Sequence, residues 1–130
     1  MTSKHTPGPW VVHDHPTDPY QYGHHVTTAD GLTVCSVTYQ LPVSTPHGVE
    51  EATRVANARL IAAAPELLEA LTKAVEETEQ FLFEAWMVRT CPSGDHECVQ
   101  RQWLASSDHV DFCREWAEQL AAIAKATGEV

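Results

Sequence analysis

The stretch ANARLIAAAPELLEAL, residues 56–71, decides the fold because it places a proline inside a run of helix-forming residues. Pro65 has no amide hydrogen, and its ring disfavours helical geometry at Ala64. Within a helix it would cost about 3 kcal/mol, whereas in the first turn of a new helix it costs almost nothing. The sequence therefore predicts two helices, over about residues 50–63 and 65–88, that meet at a bend.

Small residues make up the predicted buried face of the first of these helices. They recur at spacings of three and four, which places them on one side of a helix. The face consists of Ala52, Val55, Ala56, Leu60 and Ala63. Because these side chains are short, we expect the helix to lie close against a sheet.

That sheet is predicted upstream, where HHVTTADGLTVCSVTY (residues 24–39) places Asp30-Gly31 between two β-prone runs. Asp-Gly suits a two-residue hairpin turn, which needs positive φ at both central positions. PWVVHD (residues 9–14) adds a further short strand. We therefore expect three antiparallel strands within residues 10–40, and a sheet of this size needs a covering layer.

Downstream, a last helix is predicted over about residues 107–126, with Ser107 or Asp108 as N-cap and Gly128 beyond its end. This helix and the 65–88 helix would pair as an antiparallel hairpin. The predicted fold class is α+β: a small N-terminal antiparallel sheet, then a bent helix pair and a C-terminal helical hairpin. A single domain is expected over residues 1–130, with the sheet in 1–45 and the helices in 50–126.

The charge balance limits the class of partner. Eighteen acidic and eight basic residues give a net charge of −10, which disfavours a broad nucleic-acid-binding surface. The same charge permits binding to a basic protein, and a few arginines could still hold a small anionic ligand. No apolar run is long enough to span a membrane, and the start MTSKHTPGPW has no signal-peptide core. We therefore expect a protein of the host-cell cytoplasm.

Cysteine and histidine are concentrated in residues 91–113, which contain Cys91, His96, Cys98, His109 and Cys113. The pair His-x3-Cys suits one face of a helix, but Cys-x4-His-x-Cys matches no common structural zinc pattern. Two interpretations stay open. Either Cys91, Cys98, His109 and Cys113 bind zinc, or Cys113 packs in the helical hairpin while Cys91, His96 and Cys98 lie on a loop. No other cofactor is predicted.

The sequence contains no nucleophile motif, zinc-protease motif or glycine-rich phosphate loop, so we expect a protein that is not an enzyme. Arg54, Asn57 and Arg59 instead form a candidate binding site, because guanidinium and amide groups suit phosphates and base edges. Trp10 or Tyr39 would supply a stacking face. The alternative is that both arginines form surface ion pairs with neighbouring glutamates.

Aromatic residues predict self-association. Two helices alone could not bury all the rings that the predicted hairpin carries, and large exposed apolar patches tend to be interfaces. These rings are Phe81, Phe83, Trp86, Trp103, Phe112 and Trp116. A homo-oligomer is therefore expected.

KHTPGPW (residues 4–10), together with ANARLIAAAPELLEAL, resembles a widespread family of short proteins encoded by bacteriophages and prophages. The layout of a small sheet followed by long helices is similar to that of the Thoeris-type sponges, which are phage anti-defence proteins. This resemblance implies a protein that sequesters an anionic, cyclic nucleotide immune signal without cleaving it. Two alternatives remain: an anti-CRISPR protein that binds a Cas effector directly, and a zinc-containing structural or interaction module.

Overall fold

A computed structural model of the chain describes residues 5–13, 23–38 and 47–129. The described residues form three strands and five helices in an α+β arrangement, which confirms the predicted fold class. The strands are β1 (Trp10–His13), β2 (Gly23–Thr28) and β3 (Thr33–Thr38). The helices are α1 (His47–Ala62), α2 (Ala64–Thr90), α3 (His96–Leu104), α4 (Ser107–Glu115) and α5 (Ala117–Thr127).

The chain divides into two compact units, Met1–Leu67 and Leu68–Val130. The first contains the sheet and α1, and the second contains most of α2 with the three following helices. The prediction of one domain concerns how these units associate, and it stays a prediction. None of the helices in the described part of the chain is both long and apolar enough to cross a membrane.

The three strands pair antiparallel in the order β1-β2-β3, as predicted. Val26 in the central strand lies opposite Val12 on one side and Cys35 on the other. The β2–β3 register shifts between Val26 and Thr27, so Val34 is an extra residue that forms a bulge.

The turn between β2 and β3 differs from the predicted two-residue form. The amide of Thr28 donates to the carbonyl of Leu32, and the amide of Gly31 donates to the carbonyl of Thr28. This leaves a three-residue loop, in which Gly31 alone adopts positive φ, at 91°. Asp30 does not adopt positive φ. Its carboxylate accepts a hydrogen bond from the Thr28 hydroxyl, which lowers the pKa of the Asp30 carboxyl group.

Helix α1 covers the sheet and contacts all three strands. The core between them consists of Val26, Ala58 and Ala62, with Trp10 and Ile61 packed against it. Short side chains on α1 allow this close approach.

The buried face that the sequence predicts for α1 is partly wrong. Ala56 is exposed and Leu60 is 63% exposed, whereas Ala58 is fully buried. Val55, which the prediction included, is half-buried. In an alanine-rich helix more than one stripe is small enough to meet a sheet, so the spacing alone did not select the right one.

The predicted break near Pro65 is confirmed, and it separates α1 from α2 at Ala63. Pro65 is the second residue of α2, where its missing amide hydrogen breaks no helical bond. A side-chain carbon added at Gly8 would lie 2.9 Å from the Pro65 Cβ atom. The two sequence motifs KHTPGPW and ANARLIAAAPELLEAL therefore meet at a glycine–proline contact.

We expect Gly8→Ala to lower the free energy of unfolding by about 1–3 kcal/mol, because a methyl group overpacks this contact. Urea denaturation followed by circular dichroism would measure the change. In a Pro65→Gly background the same substitution should cost clearly less, since the Cβ atom that it meets is gone. An equal cost in both backgrounds would contradict the contact.

The sequence did not predict α3, because the cysteines and the histidine of this segment were interpreted as metal ligands or loop residues. Asp95 is the N-cap, and its carboxylate accepts a hydrogen bond of 2.9 Å from the amide of Cys98. This bond lowers the pKa of Asp95. Val99 and Trp103, one helical turn apart, lie on the less exposed side of the helix.

The predicted last helix is two helices, α4 and α5, which meet at Trp116. No glycine or proline causes this division. Hydrogen bonds continue on both sides, from the Trp116 amide to the Phe112 carbonyl and from the Leu120 amide to the Trp116 carbonyl. The end of α5 is as predicted, with Gly128 in the left-handed conformation at φ 74°.

The N-cap of α4 is Ser106, one residue before the predicted Ser107 or Asp108. Its hydroxyl donates to the Trp103 carbonyl at 2.6 Å and accepts from the His109 amide at 3.2 Å. We expect Ser106→Ala to lower the free energy of unfolding by about 1 kcal/mol in urea denaturation. Ser107→Ala is the matched control and should have little effect. A larger loss of stability from Ser107→Ala than from Ser106→Ala would mean that Ser107 is the N-cap.

Aromatic rings form the core of the second unit. Trp103 lies 5.5 Å from Phe83, 5.6 Å from Trp86 and 5.3 Å from His109, measured between ring centroids. Trp86, Trp103 and Phe112 are all buried. The homo-oligomer stays a prediction, but these three rings no longer support it, because they are already buried within one chain.

Candidate functional site

The predicted ligand-binding residues of α1 are only partly described. Asn57 and Arg59 are both exposed. Arg54 belongs to α1, but its side chain lies outside the described part, as does the whole of Tyr39. Among the described residues, no carboxylate forms an ion pair with Arg59.

The geometry of α1 separates Asn57 from Arg59. Ala58, between them, is fully buried against the sheet. At 3.6 residues per turn, two steps of about 100° leave Asn57 and Arg59 pointing about 160° apart around the helix axis. They therefore lie on opposite flanks of the buried stripe and do not converge on one small ligand.

Trp10, the predicted stacking residue, has a structural role. It packs against the core of the first unit. Its indole N–H lies 3.2 Å from the carbonyl oxygens of both Thr6 and Pro7, to which it donates. The ring of His5 meets it edge to face at 6.2 Å. These contacts explain the tryptophan without a ligand.

The predicted metal ligands are partly brought together. Nε2 of His109 lies 3.7 Å from Sγ of Cys113, and Oε1 of Glu79 lies 3.6 Å from the same nitrogen. Cys91 is exposed beyond the end of α2, and Sγ of Cys98 accepts a long hydrogen bond from Arg101. Within residues 5–13, 23–38 and 47–129, no three such side chains are placed to hold a metal ion.

The same cluster lacks the geometry of a nucleophilic site. A catalytic histidine uses one ring nitrogen for the nucleophile and the other for the orienting carboxylate. In this cluster the thiol and the carboxylate both approach Nε2 of His109 most closely. The expectation that the protein is not an enzyme stays a prediction.

An exposed face of α2 is the most distinctive surface of the second unit. Phe81 is 70% exposed and Val88 is 81% exposed. Glu77 and Glu84 lie one turn before and one turn after Phe81, so all four side chains share one side of the helix. We call these four residues the α2 face.

Two shallow depressions lie along α2 in the second unit. The first is lined by Glu76, Glu77, Gln80, Phe81 and Glu84. The second is lined by Glu76, Glu79, Gln80, Phe83, Gln100 and Trp103. Neither of these two depressions is lined by a lysine or an arginine, so their charge disfavours an anionic ligand.

A family model described as Salmonella phage P22 protein Y8K6 matches residues 1–130. The chain belongs to this phage protein family. Comparison with curated proteins and comparison with solved structures give no match.

Membership of this family supports the phage origin that the sequence predicts. The match runs over the whole chain, so it does not test the two short motifs on which that prediction was based. It also carries no information on the similarity to the Thoeris-type sponges. The family description names a phage protein and no activity.

The sequence contained a signal for the α2 face that the first interpretation missed. Phe81, Leu82 and Phe83 are consecutive, and at 3.6 residues per turn they cannot all lie on one buried stripe. In the structure Leu82 and Phe83 are half-buried and Phe81 is left exposed. An uninterrupted apolar triplet in an amphipathic helix therefore predicts one outward-facing aromatic residue.

Proposed function

We propose that this phage protein is a non-enzymatic anti-defence protein that acts by binding a basic surface of a bacterial defence protein. The observation that supports this most directly is the α2 face, where carboxylates flank an exposed aromatic ring. A net charge of −10 points the same way. The Cas effectors of CRISPR systems are one class of target, because nucleic-acid-binding effectors carry basic surfaces.

The proposed mechanism is competition. An acidic protein is attracted to the cationic groove in which an effector holds nucleic acid, and this attraction speeds association. Once bound, the inhibitor occupies the surface that the nucleic acid needs. Because the attraction between exposed charges is screened, binding should weaken as salt rises.

Sequestration of an anionic cyclic nucleotide is the second candidate function. The observation that favours it is Arg59, which is exposed and without an ion pair to any described carboxylate. Since Asn57 lies on the opposite flank of α1, a complete site needs further groups, either Arg54 and Tyr39 or residues of a second copy. One charge-assisted bond to phosphate contributes about 1.5–3 kcal/mol, so losing it weakens binding roughly ten- to a hundredfold.

The test uses the full chain in two assays. Tagged protein is incubated with purified Cas effector complexes at low and physiological salt, and capture is quantified. Calorimetry then measures binding of cyclic dinucleotides, cyclic trinucleotides and cyclic ADP-ribose-type signals. Salt-sensitive capture of a Cas subunit without nucleotide binding supports the first candidate.

Nucleotide binding that is lost in Arg59→Ala and kept in Arg101→Ala, an exposed arginine of α3, supports the second candidate. Capture that does not respond to salt contradicts the electrostatic mechanism. If neither an effector nor a nucleotide binds, and the protein also fails to protect phage in cells that carry these systems, the proposed function is wrong.

A further inference from the structure

We propose that the α2 face is the docking surface, and that its occupant is an amphipathic segment of a partner protein that presents lysine or arginine beside apolar side chains. The inference rests on the proposed function, to which it adds the place on this protein where the partner binds. It also specifies the chemistry of the partner segment.

The position of the α2 face on the helix makes it available. Val75 and Trp86, the buried residues of α2, lie on a different side of the helix from Phe81. Glu77 and Glu84 are one heptad apart, as are Phe81 and Val88. The result is an apolar stripe with carboxylates along its edge, which matches a partner of opposite pattern.

The charge of α2 favours a cationic partner segment over a second copy of the chain as the occupant of the α2 face. Helix α2 carries six glutamates against two basic residues, Lys73 and Arg89. Arg89 forms an ion pair with Asp108. Nζ of Lys73 lies 3.7 Å from Oε1 of Glu77, and both of these side chains are well exposed. A second copy of the chain would bring another carboxylate-rich face against this one, and like charges in contact are unfavourable.

A cationic segment satisfies both components of the α2 face. The Phe81 ring offers apolar area and a negative π-face, on which an ammonium or guanidinium group can stack. Glu84, one turn after Phe81, accepts a 2.8 Å hydrogen bond from Gln80, which restricts the position of its carboxylate. Glu77 and Glu84 would then pair with cations on either side of the bound apolar side chain.

The experiment uses a defined probe, a labelled amphipathic helical peptide of leucine and lysine about two heptads long. Its counterpart with glutamate in place of lysine is the negative probe. Fluorescence anisotropy measures binding to the full chain at low and physiological salt. We expect the lysine peptide to bind, the glutamate peptide not to bind, and Phe81→Ala to weaken binding about tenfold or more.

Two matched controls separate the α2 face from general effects. Glu84→Lys should weaken binding strongly, whereas Glu118→Lys on α5, which makes the same charge change at an exposed site, should weaken it little. Leu104→Ala, an exposed apolar residue of α3, is the control for Phe81→Ala. Circular dichroism verifies that each variant is folded. Equal losses within either pair would overturn the proposal.

Light scattering tests the other candidate occupant of the α2 face, which is a second copy of the chain. A wild-type mass above 14.4 kDa that falls to the monomer value in Phe81→Ala would assign the face to a second copy and overturn the proposal. Peptide binding that depends on Phe81, without capture of any defence protein, would leave the docking surface standing and the proposed function wrong. Capture of a defence protein that is unchanged in Phe81→Ala and Glu84→Lys would leave the proposed function standing and the docking surface wrong.

Discussion

Trp103→Ala is expected to lower the free energy of unfolding by about 3–5 kcal/mol, the range for deleting a large aromatic side chain from a core. Trp103 is only 2% exposed and contacts rings from α2 and α4. Its removal leaves a cavity that these helices cannot fill by small movements. Since single domains are stable by about 5–15 kcal/mol, the variant should lose a large part of its stability.

Urea denaturation followed by far-ultraviolet circular dichroism measures this loss, because the substitution itself changes tryptophan fluorescence. Phe81→Ala is the matched control: it removes an aromatic ring from the same unit, but at a site that is 70% exposed. It should change the free energy of unfolding by no more than about 0.5 kcal/mol. Similar effects from both substitutions would mean that Trp103 is not at the centre of this core.

The features that the sequence predicted correctly depend on local covalent constraints. Pro65 cannot donate a hydrogen bond, and Gly31 readily adopts positive φ, wherever the rest of the chain lies. Consequently the helix break and the β2–β3 hairpin could be located from a few residues. The length of the hairpin loop could not, because the bulge at Val34 depends on pairing across the sheet.

The second unit was harder to predict because its last three helices are short and are ordered by contacts between distant residues. Trp103 of α3 meets Phe83 and Trp86, which are 20 and 17 residues earlier in the chain. Periodicity over nine residues is a weak signal beside such packing. In the sequence, the signal for α3 was a cap at Asp95 followed by Val99 and Trp103 one turn apart.

The candidate site shows that closeness in sequence is not convergence in space. Asn57 and Arg59 are two residues apart, yet the helix directs them to opposite flanks of the buried stripe. Phe81 and Glu84 are three residues apart in α2, and the structure leaves both exposed on one side of the helix. Deciding between these arrangements required knowing which stripe of each helix is buried.

Ala58→Leu is expected to lower the free energy of unfolding by about 3 kcal/mol, the upper part of the range for overpacking. Ala58 is fully buried between α1 and the sheet, where it packs with Val26 and Ala62. A leucine side chain would push the helix away from β2 or force its own side chain into a strained rotamer. Hydrogen exchange resolved at the peptide level should show faster exchange in β2, where Val26 packs against Ala58.

Ala56→Leu is the control that separates the two possible faces of α1. The spacing of small residues placed Ala56 on the buried face, whereas the structure places it in solvent. There a leucine should change stability by less than about 0.5 kcal/mol, because leucine is a good helix former and meets no neighbour. If Ala56→Leu were the damaging substitution and Ala58→Leu the neutral one, α1 would cover the sheet with the face that the spacing first predicted, and Asn57 and Arg59 would have to be placed again around it.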